Sequence, residues 1–402
     1  MKIRILDSLS DVDPAQWDDL TINPQGHAHP LLSHAFLHAL HETGCASQAS
    51  GWAPQFITLW EGHTLRAALP LYLKFHSYGE YVFDWSWAEA YHRAGLEYYP
   101  KLLCAIPFSP VSGSRLLARN QADRQALIAA ALALARDAKV SSLHVLLPNA
   151  DEQELLVAQG MLPRASVQFH WHNQGYASFD AFLATLTQEK RKKIRQERRK
   201  VSAGGVTFRH LRGAEIDDAL WQFWTRCYDN TYHDHHSSPY LNLAFFKRLG
   251  ESMPDNVLLV VGEHDGRPLC ASLCIYNQSH LYGRYWGVAR HDAGRISGLH
   301  FETCYYQPLE FCIAQGIGVF EGGAQGEHKL ARGFLPVTCH SAHWIKRPEF
   351  AAAIDRFLHR ERAGIGNYVD ELHEHSPFRQ GVAEEAPLAG IFIDDAVKTG
   401  AG

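Results

Sequence analysis

The chain repeats itself. Ala67–Tyr81 (AALPLYLKFHSYGEY) aligns without gaps on Ala271–Tyr285 (ASLCIYNQSHLYGRY). Identities fall at Ala67/Ala271, Leu69/Leu273, Tyr72/Tyr276, His76/His280, Tyr78/Tyr282, Gly79/Gly283 and Tyr81/Tyr285. Such self-similarity, carried by Tyr and His, means two copies of one structural unit. A second pair supports it: Gly160-Met161-Leu162-Pro163 precedes His170-Trp171 as Gly333-Phe334-Leu335-Pro336 precedes His343-Trp344. The first pair is offset by 204 residues and the second by 173, so copy 1 carries 31 more residues between its blocks. A length of 402 residues suits two domains of ordinary size.

Hydrophobic period and turn residues parse each copy. In copy 1 we expect a helix near Leu31–Glu42 and strands at Gln55–Trp60 and Leu65–Lys74, joined across Glu61-Gly62. Further strands are expected at Tyr78–Trp85 and near Leu102–Pro107, then a helix over Ala122–Lys139. A strand at Ser142–Leu147, a helix over Glu152–Gln159 and a strand ending at Trp171 close the unit. In copy 2 the expected helices are Phe179–Ser202, Ile216–Asn230, Phe301–Gln315 and Glu327–Ala331. The expected strands are Val257–Glu263, Leu269–Asn277, Leu281–Trp286, Gly318–Glu321 and one through Trp344. The pattern is α+β, with units at 1–172 and 173–375 and a weakly patterned tail at 376–402.

Composition narrows the class. With 46% apolar and 20% charged residues the chain is a folded protein, neither disordered nor fibrous. It has no apolar run of spanning length and an early acidic turn (MKIRILDSLSDVD), which suits a cytoplasmic protein. Eight cysteines without a CxxC pair read as reduced thiols. Net charge is −5, yet eight basic residues crowd Lys190–Lys200; without that run the net charge is −12. A basic helix of this kind either grips phosphates, RNA included, or presents a solvated face. The 25 histidines include His233, His235 and His236, but neighbours so close cannot readily close one tetrahedral site, and no metal is expected.

One segment concentrates chemistry. In Glu321–Gly333 (EGGAQGEHKLARG), Glu321 ends a strand, and Gly322, Gly323 and Gly326 allow a tight turn with exposed amides. Gln325, Glu327, His328, Lys329 and Arg332 follow, as substrate-binding groups or as a solvated charged turn. His300 and Glu302 open a helix after Arg295-Ile296-Ser297-Gly298; either could accept a proton, or Glu302 could merely cap. Ser112-Gly113-Ser114-Arg115 is a rival donor-rich loop in copy 1. Arg284, beside Tyr285, matches Glu80 across the repeat. With Asp84 these residues suggest a cleft gripping a carboxylate and an amine, or an ion pair across the copies.

The element order resembles the GNAT acyltransferase fold, and its duplication resembles the Fem-type aminoacyltransferases. More closely, His76–Tyr91 (HSYGEYVFDWSWAEAY), Ser142–Pro148, Gln168–Asn173, Lys190–Arg198, Leu281–Gly287, Leu299–Gln307 and Phe320–Gly333 resemble FemAB-like N-acyltransferases. The resemblance runs from about Ser33 to Phe378. It implies two tandem GNAT-like domains packed pseudo-symmetrically, moving an acyl or aminoacyl group from an activated donor to an amine. The expected proton acceptor is Glu321, Glu302 or His300. Arg284, Lys329 and Arg332 would hold anionic groups, and Arg295, Gly298, Ser112, Gly113 and Arg115 are the candidates around a donor's pyrophosphate. No tightly bound cofactor is expected; acyl-coenzyme A or aminoacyl-tRNA would be the donor and a small molecule or peptidoglycan precursor the acceptor. The alternatives are a non-catalytic module binding such a precursor or RNA, and a metal enzyme built on the His233 cluster.

Overall fold

The computed structural model describes residues 1–289, 296–324, 326 and 328–379. Among these residues fifteen strands form two sheets. In chain order they are β1 (Lys2–Leu6), β2 (Trp52–Pro54), β3 (Phe56–Glu61), β4 (Thr64–Leu69), β5 (Leu71–Lys74), β6 (Lys101–Cys104), β7 (Leu117–Ala118), β8 (Ser142–Leu146) and β9 (Leu162–His172). Copy 2 adds β10 (Val206–Arg212), β11 (Val257–His264), β12 (Arg267–Tyr276), β13 (His280–Val288), β14 (Val319–Glu321) and β15 (Leu335–Ile345). The smaller sheet has the order β1-β3-β4-β7, and the larger is β10-β11-β12-β13-β14-β9-β15-β8-β6-β5-β2.

That order carries the architecture. Each copy's last strand lies beside the other copy's penultimate one: β9 pairs with β14, β15 with β8, and β9 and β15 with each other. The offset of 173 carries Ser166 onto its own antiparallel partner Cys339, so a pseudo-twofold axis runs through that pair. Around it Glu321 opposes His170 on one side, and His144 opposes His343 on the other. The copies are therefore related by rotation, and a single sheet spans both.

Most expected elements appear, with corrections that have physical causes. The single expected helix over Phe179–Ser202 is two, Phe179–Thr185 and Gln188–Ala203. Leu186 is drawn out to bridge Phe378, and the Thr187 N–H donates to the Pro377 carbonyl at 2.9 Å. The beginning of the tail is thus docked; residues 380–402 lie outside the described residues. Tyr78–Trp85 is no strand: Gly79 and Tyr81 turn in the left-handed region (φ 80° and 62°), and Trp85–Arg93 is a helix. Instead of a helix over Glu327–Ala331 there is one 3-10 turn, Leu330–Arg332, closed by Gly333 at φ 88°. A helix over Pro348–Glu374, unmarked by the repeat, packs across β9 and β15.

Helical structure over 299–315 contains a wider π turn at Glu302–Tyr306. Pro308 explains it, because proline has no N–H to give the Cys304 carbonyl four residues back and its ring crowds that oxygen.

Because the last strands are exchanged, neither copy can complete its sheet alone. Residues 1–174 and 175–402 expressed separately are expected to lack a cooperative unfolding transition, and to regain it as a 1:1 complex when co-expressed. Circular dichroism melts and gel filtration check this; a cooperative melt from either half alone contradicts it.

Candidate functional site

The strands of the larger sheet part at its centre. β13 pairs in parallel with β14 only at His280–Tyr282 against Val319–Glu321, then continues to Val288 paired with β12 alone. A bulge at Leu273/Cys274 in the β12–β13 pairing adds to the divergence. Between the diverging strands lies a cavity of about 130 Å³. Gly283–Trp286 form one wall, Phe320 and Gly322 another, and His300, Cys304 and Tyr305 from the π-turned helix the roof. On its β14 side, β13 thereby faces a cavity instead of a neighbouring strand.

Of the expected residues, Arg284, Tyr285 and His300 line this cavity. Arg284 Nη2 donates to the Phe108 carbonyl at 2.6 Å, and Tyr285 Oη to the same oxygen at 2.8 Å. Arg284 Nε has no partner among the described residues. Burial, with the nearby His328, Arg332 and Lys329, pulls the His300 pKa down to about 4, so its imidazole is neutral at physiological pH. Lys329 is buried behind the roof, where its ammonium reaches the Gly323 carbonyl at 3.2 Å. Desolvation lowers its pKa to about 8. His328 is exposed, its Nε2 3.3 Å from Tyr305 Oη.

Other expected residues are committed elsewhere. Glu302 does not face the cavity as a free base: Arg198 grips it with Nε and Nη2 at 2.9–3.1 Å while also holding Glu310, and Gln307 donates to it at 2.7 Å. Arg332 is likewise unavailable to a ligand's anion. Its Nη2 binds both oxygens of Glu197 at 2.8–2.9 Å, its Nε donates to Tyr306 Oη, and its guanidinium lies 3.4 Å from the centre of the Phe301 ring. The basic run thus fixes the site through Arg198 and through its acidic member Glu197. Lys192, Lys193, Arg199 and Lys200 remain exposed.

The expected cleft of Arg284 opposite Glu80 and Asp84 does not form. Both carboxylates turn inward to Lys101, whose ammonium lies 2.7 Å from Glu80 and 2.5 Å from Asp84, all buried. Tyr98 ties Asp84 to His144, which meets His343 at 2.7 Å across the copies. Arg115 is also a correction. It is fully buried and donates to the carbonyls of Leu146, Gly113, Ser114 and Val111, so it cannot reach a pyrophosphate.

Ser112 and Gly113 line a different, polar cavity at the seam with His29, Arg124, His280, Tyr282 and Glu321. Glu321 therefore lies across β14 from the cavity that holds His300. Burial raises its pKa to about 8 against the Ser112 N–H and the charges of Arg284 and Arg115. Gly298, at φ 90°, lets the turn before Leu299 lie 3.3 Å from the Glu197 carbonyl where a Cβ would be. Arg295, Gln325 and Glu327 lie outside the described residues. Among the described residues no three His, Cys, Asp or Glu side chains converge to hold a metal, the His233 group included.

Sequence reasoning missed Ser272, Cys304, Tyr305 and Trp286 as cavity residues, although all four stand in the segments quoted. Phe108, whose carbonyl orients Arg284, has φ 57° and no sequence signal.

The exchanged sheet and the splayed strands define two tandem GNAT-like domains. The chain belongs to the FemAB-like family, described as peptidoglycan biosynthesis/recognition, whose model matches residues 8–380. A crystal structure of FemX has a TM-score of 0.54 at 11% identity, covering 88% of this chain and 99% of that one. The C-terminal domain of a protein described as a lysylphosphatidylglycerol synthetase from Agrobacterium fabrum gives 0.53 at 9%, covering 85% and 95%. These likenesses are to the fold. No curated protein matches the sequence.

Glu321 carries a stability test. In the folded chain it keeps its proton up to about pH 8, whereas its ordinary value is 4.5. Between those values the folded state binds the extra proton, so stability falls as pH rises and the full penalty stands above about 8. Glu321→Gln is expected to raise the melting temperature at pH 9 and change it little at pH 4; equal shifts at both contradict this.

Proposed function

We propose that the protein is an N-acyltransferase that moves an acyl or aminoacyl group from an activated donor to an amine, in the cavity between β13 and β14. The observation that carries this is the splay: the edge of β13 that β14 leaves unpaired at Gly283–Trp286 shares a cavity with the neutral, half-buried imidazole of His300. A donor carbonyl laid along Gly283–Trp286 would meet backbone N–H groups already held in place, the arrangement that favours an oxyanion. The amine nitrogen attacks the carbonyl carbon, and a C–N bond forms as the carbonyl oxygen takes the negative charge. His300 accepts the proton from that nitrogen; the carbonyl re-forms as the C–O or C–S bond to the donor breaks, and the leaving group takes that proton from the imidazolium, which returns His300 to its neutral form. Arg284, fixed by Phe108, holds positive charge beside this centre. Fixed geometry supplies the remainder of the rate gain.

Removing a positioned acid–base group costs about 10²–10⁴ in rate. His300→Ala is expected to lower kcat by that factor with little change in donor KM, with product followed by mass spectrometry using acetyl-coenzyme A and an aminoacyl-tRNA as donors. Unchanged kcat removes His300 from the role. The exposed Lys192, Lys193, Arg199 and Lys200 support a second reading, a non-catalytic RNA-binding module. Salt-sensitive RNA binding without transfer to any amine would favour it.

A further inference from the structure

Every aromatic side chain that is exposed among the described residues lies in one of two neighbouring segments. Phe75, Tyr78, Tyr81, Phe83 and Trp85 fall within eleven residues and are 36–57% exposed, and Phe357 is the sixth at 37%. Left-handed turns at Gly79 and Tyr81 end the strand run, so these rings are presented from a loop and from the start of helix Trp85–Arg93. The rings of Tyr78 and Trp85 touch, with centroids 5.1 Å apart. Arg164 ties the loop to the last helix: its Nη1 donates to the Phe83 carbonyl at 2.8 Å, while Nε and Nη2 each hold Glu361 at 2.8 Å. Phe357 stands one turn before Glu361 on the same side of that helix. An exposed apolar patch of this size marks a contact surface.

The outer face of helix Pro348–Glu374 is basic and free of exposed acid over its middle. Its inner residues Phe350, Ile354 and Leu358 pack with Trp87 and Tyr91. Between 352 and 367 the exposed residues are three alanines, two glycines, Asn367, Phe357, His359, Arg356 and Arg360. The two acids of that stretch are only half-exposed and already paired, Asp355 with His359 at 3.3 Å and Glu361 with Arg164. A helix face turned to water ordinarily carries charges of both signs. This one sets small and aromatic residues among arginines, in a chain whose net charge is −5. At the far end of the same helix, Lys190 of the basic run shares a cleft with Tyr368 and His375, which carries the positive charge further along the molecule.

We propose that the loop 75–85 and the outer face of helix Pro348–Glu374 dock together on the surface of an anionic lipid bilayer. Rings with an apolar body and a polar tip, such as Tyr78 and Trp85, suit the headgroup level, and Phe83 and Phe357 supply apolar area beneath it. Arg356 and Arg360 attract the anionic headgroups around them. Peripheral binding strengthens with both terms, buried apolar area and charge, and this surface offers both side by side. A second copy of the chain fits less well, because a twofold contact would bring two basic faces together. The surface composition carries this inference, which does not rest on the transferase reading.

The test is co-sedimentation of the full chain with two kinds of vesicle, phosphatidylcholine alone and phosphatidylcholine with phosphatidylglycerol in equal parts. Expected is saturable binding to the mixed vesicles, about tenfold or more tighter than to phosphatidylcholine alone. Tyr78→Ser with Phe83→Ser, and separately Arg356→Gln with Arg360→Gln, are each expected to weaken it about tenfold or more. Lys192→Gln with Lys193→Gln, on the exposed face of the basic run, is expected to change it by less than about threefold. All six side chains are exposed, so their replacement leaves the fold intact, and unaltered melting temperatures verify that. Absence of binding to the mixed vesicles overturns the proposal and leaves the patch to a protein partner. Binding unchanged by the aromatic pair, or weakened as much by the lysine pair as by the arginine pair, reduces the contact to general charge attraction and also overturns it. Vesicle binding with this pattern by a chain that transfers no acyl group supports the docking surface and contradicts the transferase reading.

Discussion

The antiparallel pairing of β9 with β15 is the constraint on which the rest depends. Nine residues of each strand, Leu162–His170 and Leu335–His343, face the other around the Ser166/Cys339 axis, and each strand reaches past its own copy to finish the other's sheet. The pairing holds β9 where β14 meets it at Val319–Glu321, and Phe169 of β9 exchanges further backbone hydrogen bonds with Gly322 and Gly323. β14 thus stays on β9 where it parts from β13, and the splayed cavity opens there. An enzyme-like cavity at the centre of a continuous sheet follows from strand exchange and from the short length of β14.

The two copies have used their equivalent positions differently. Around the axis, His144 and His343 are locked into a buried chain with Tyr98, Asp84 and Lys101, and the helix Trp85–Arg93 covers that side. The matching position of the other copy has Glu321 and His170, with Glu321 lining an open polar cavity. Buried ions of the first kind are costly to break, since removing one partner leaves a bare charge in the interior. One side of the pseudo-symmetric pair is therefore closed by charge pairing while the other retains cavities.

The sequence marked the duplication clearly because strands that occupy equivalent places carry like residues at a fixed offset. The 173-residue offset even predicts the axis, since it maps β9 onto β15. Which strand each would pair with was not legible: a single strand's pattern reports its buried face, not its neighbour. The match of Glu80 with Arg284 misled for a related reason. Two left-handed turns at Gly79 and Tyr81 take copy 1 out of the strand, so Glu80 points to Lys101 instead of along the sheet. Glu302 and Arg332 were readable as charged groups beside the site, but their commitment to Arg198 and Glu197 depends on how the basic helix docks. His300 was legible from its place at a helix opening; Phe108 was not, because a strained φ leaves no trace in residue type.

The central claim is that the donor binds along β13 in copy 2. Amide hydrogen exchange, read by mass spectrometry on the full chain with and without a saturating donor, tests it directly. The account predicts new protection at Gly283–Trp286 and around His300, with none at Ser112–Ser114. Protection at Ser112–Ser114 with Gly283–Trp286 unchanged would contradict it and place the donor in the seam cavity.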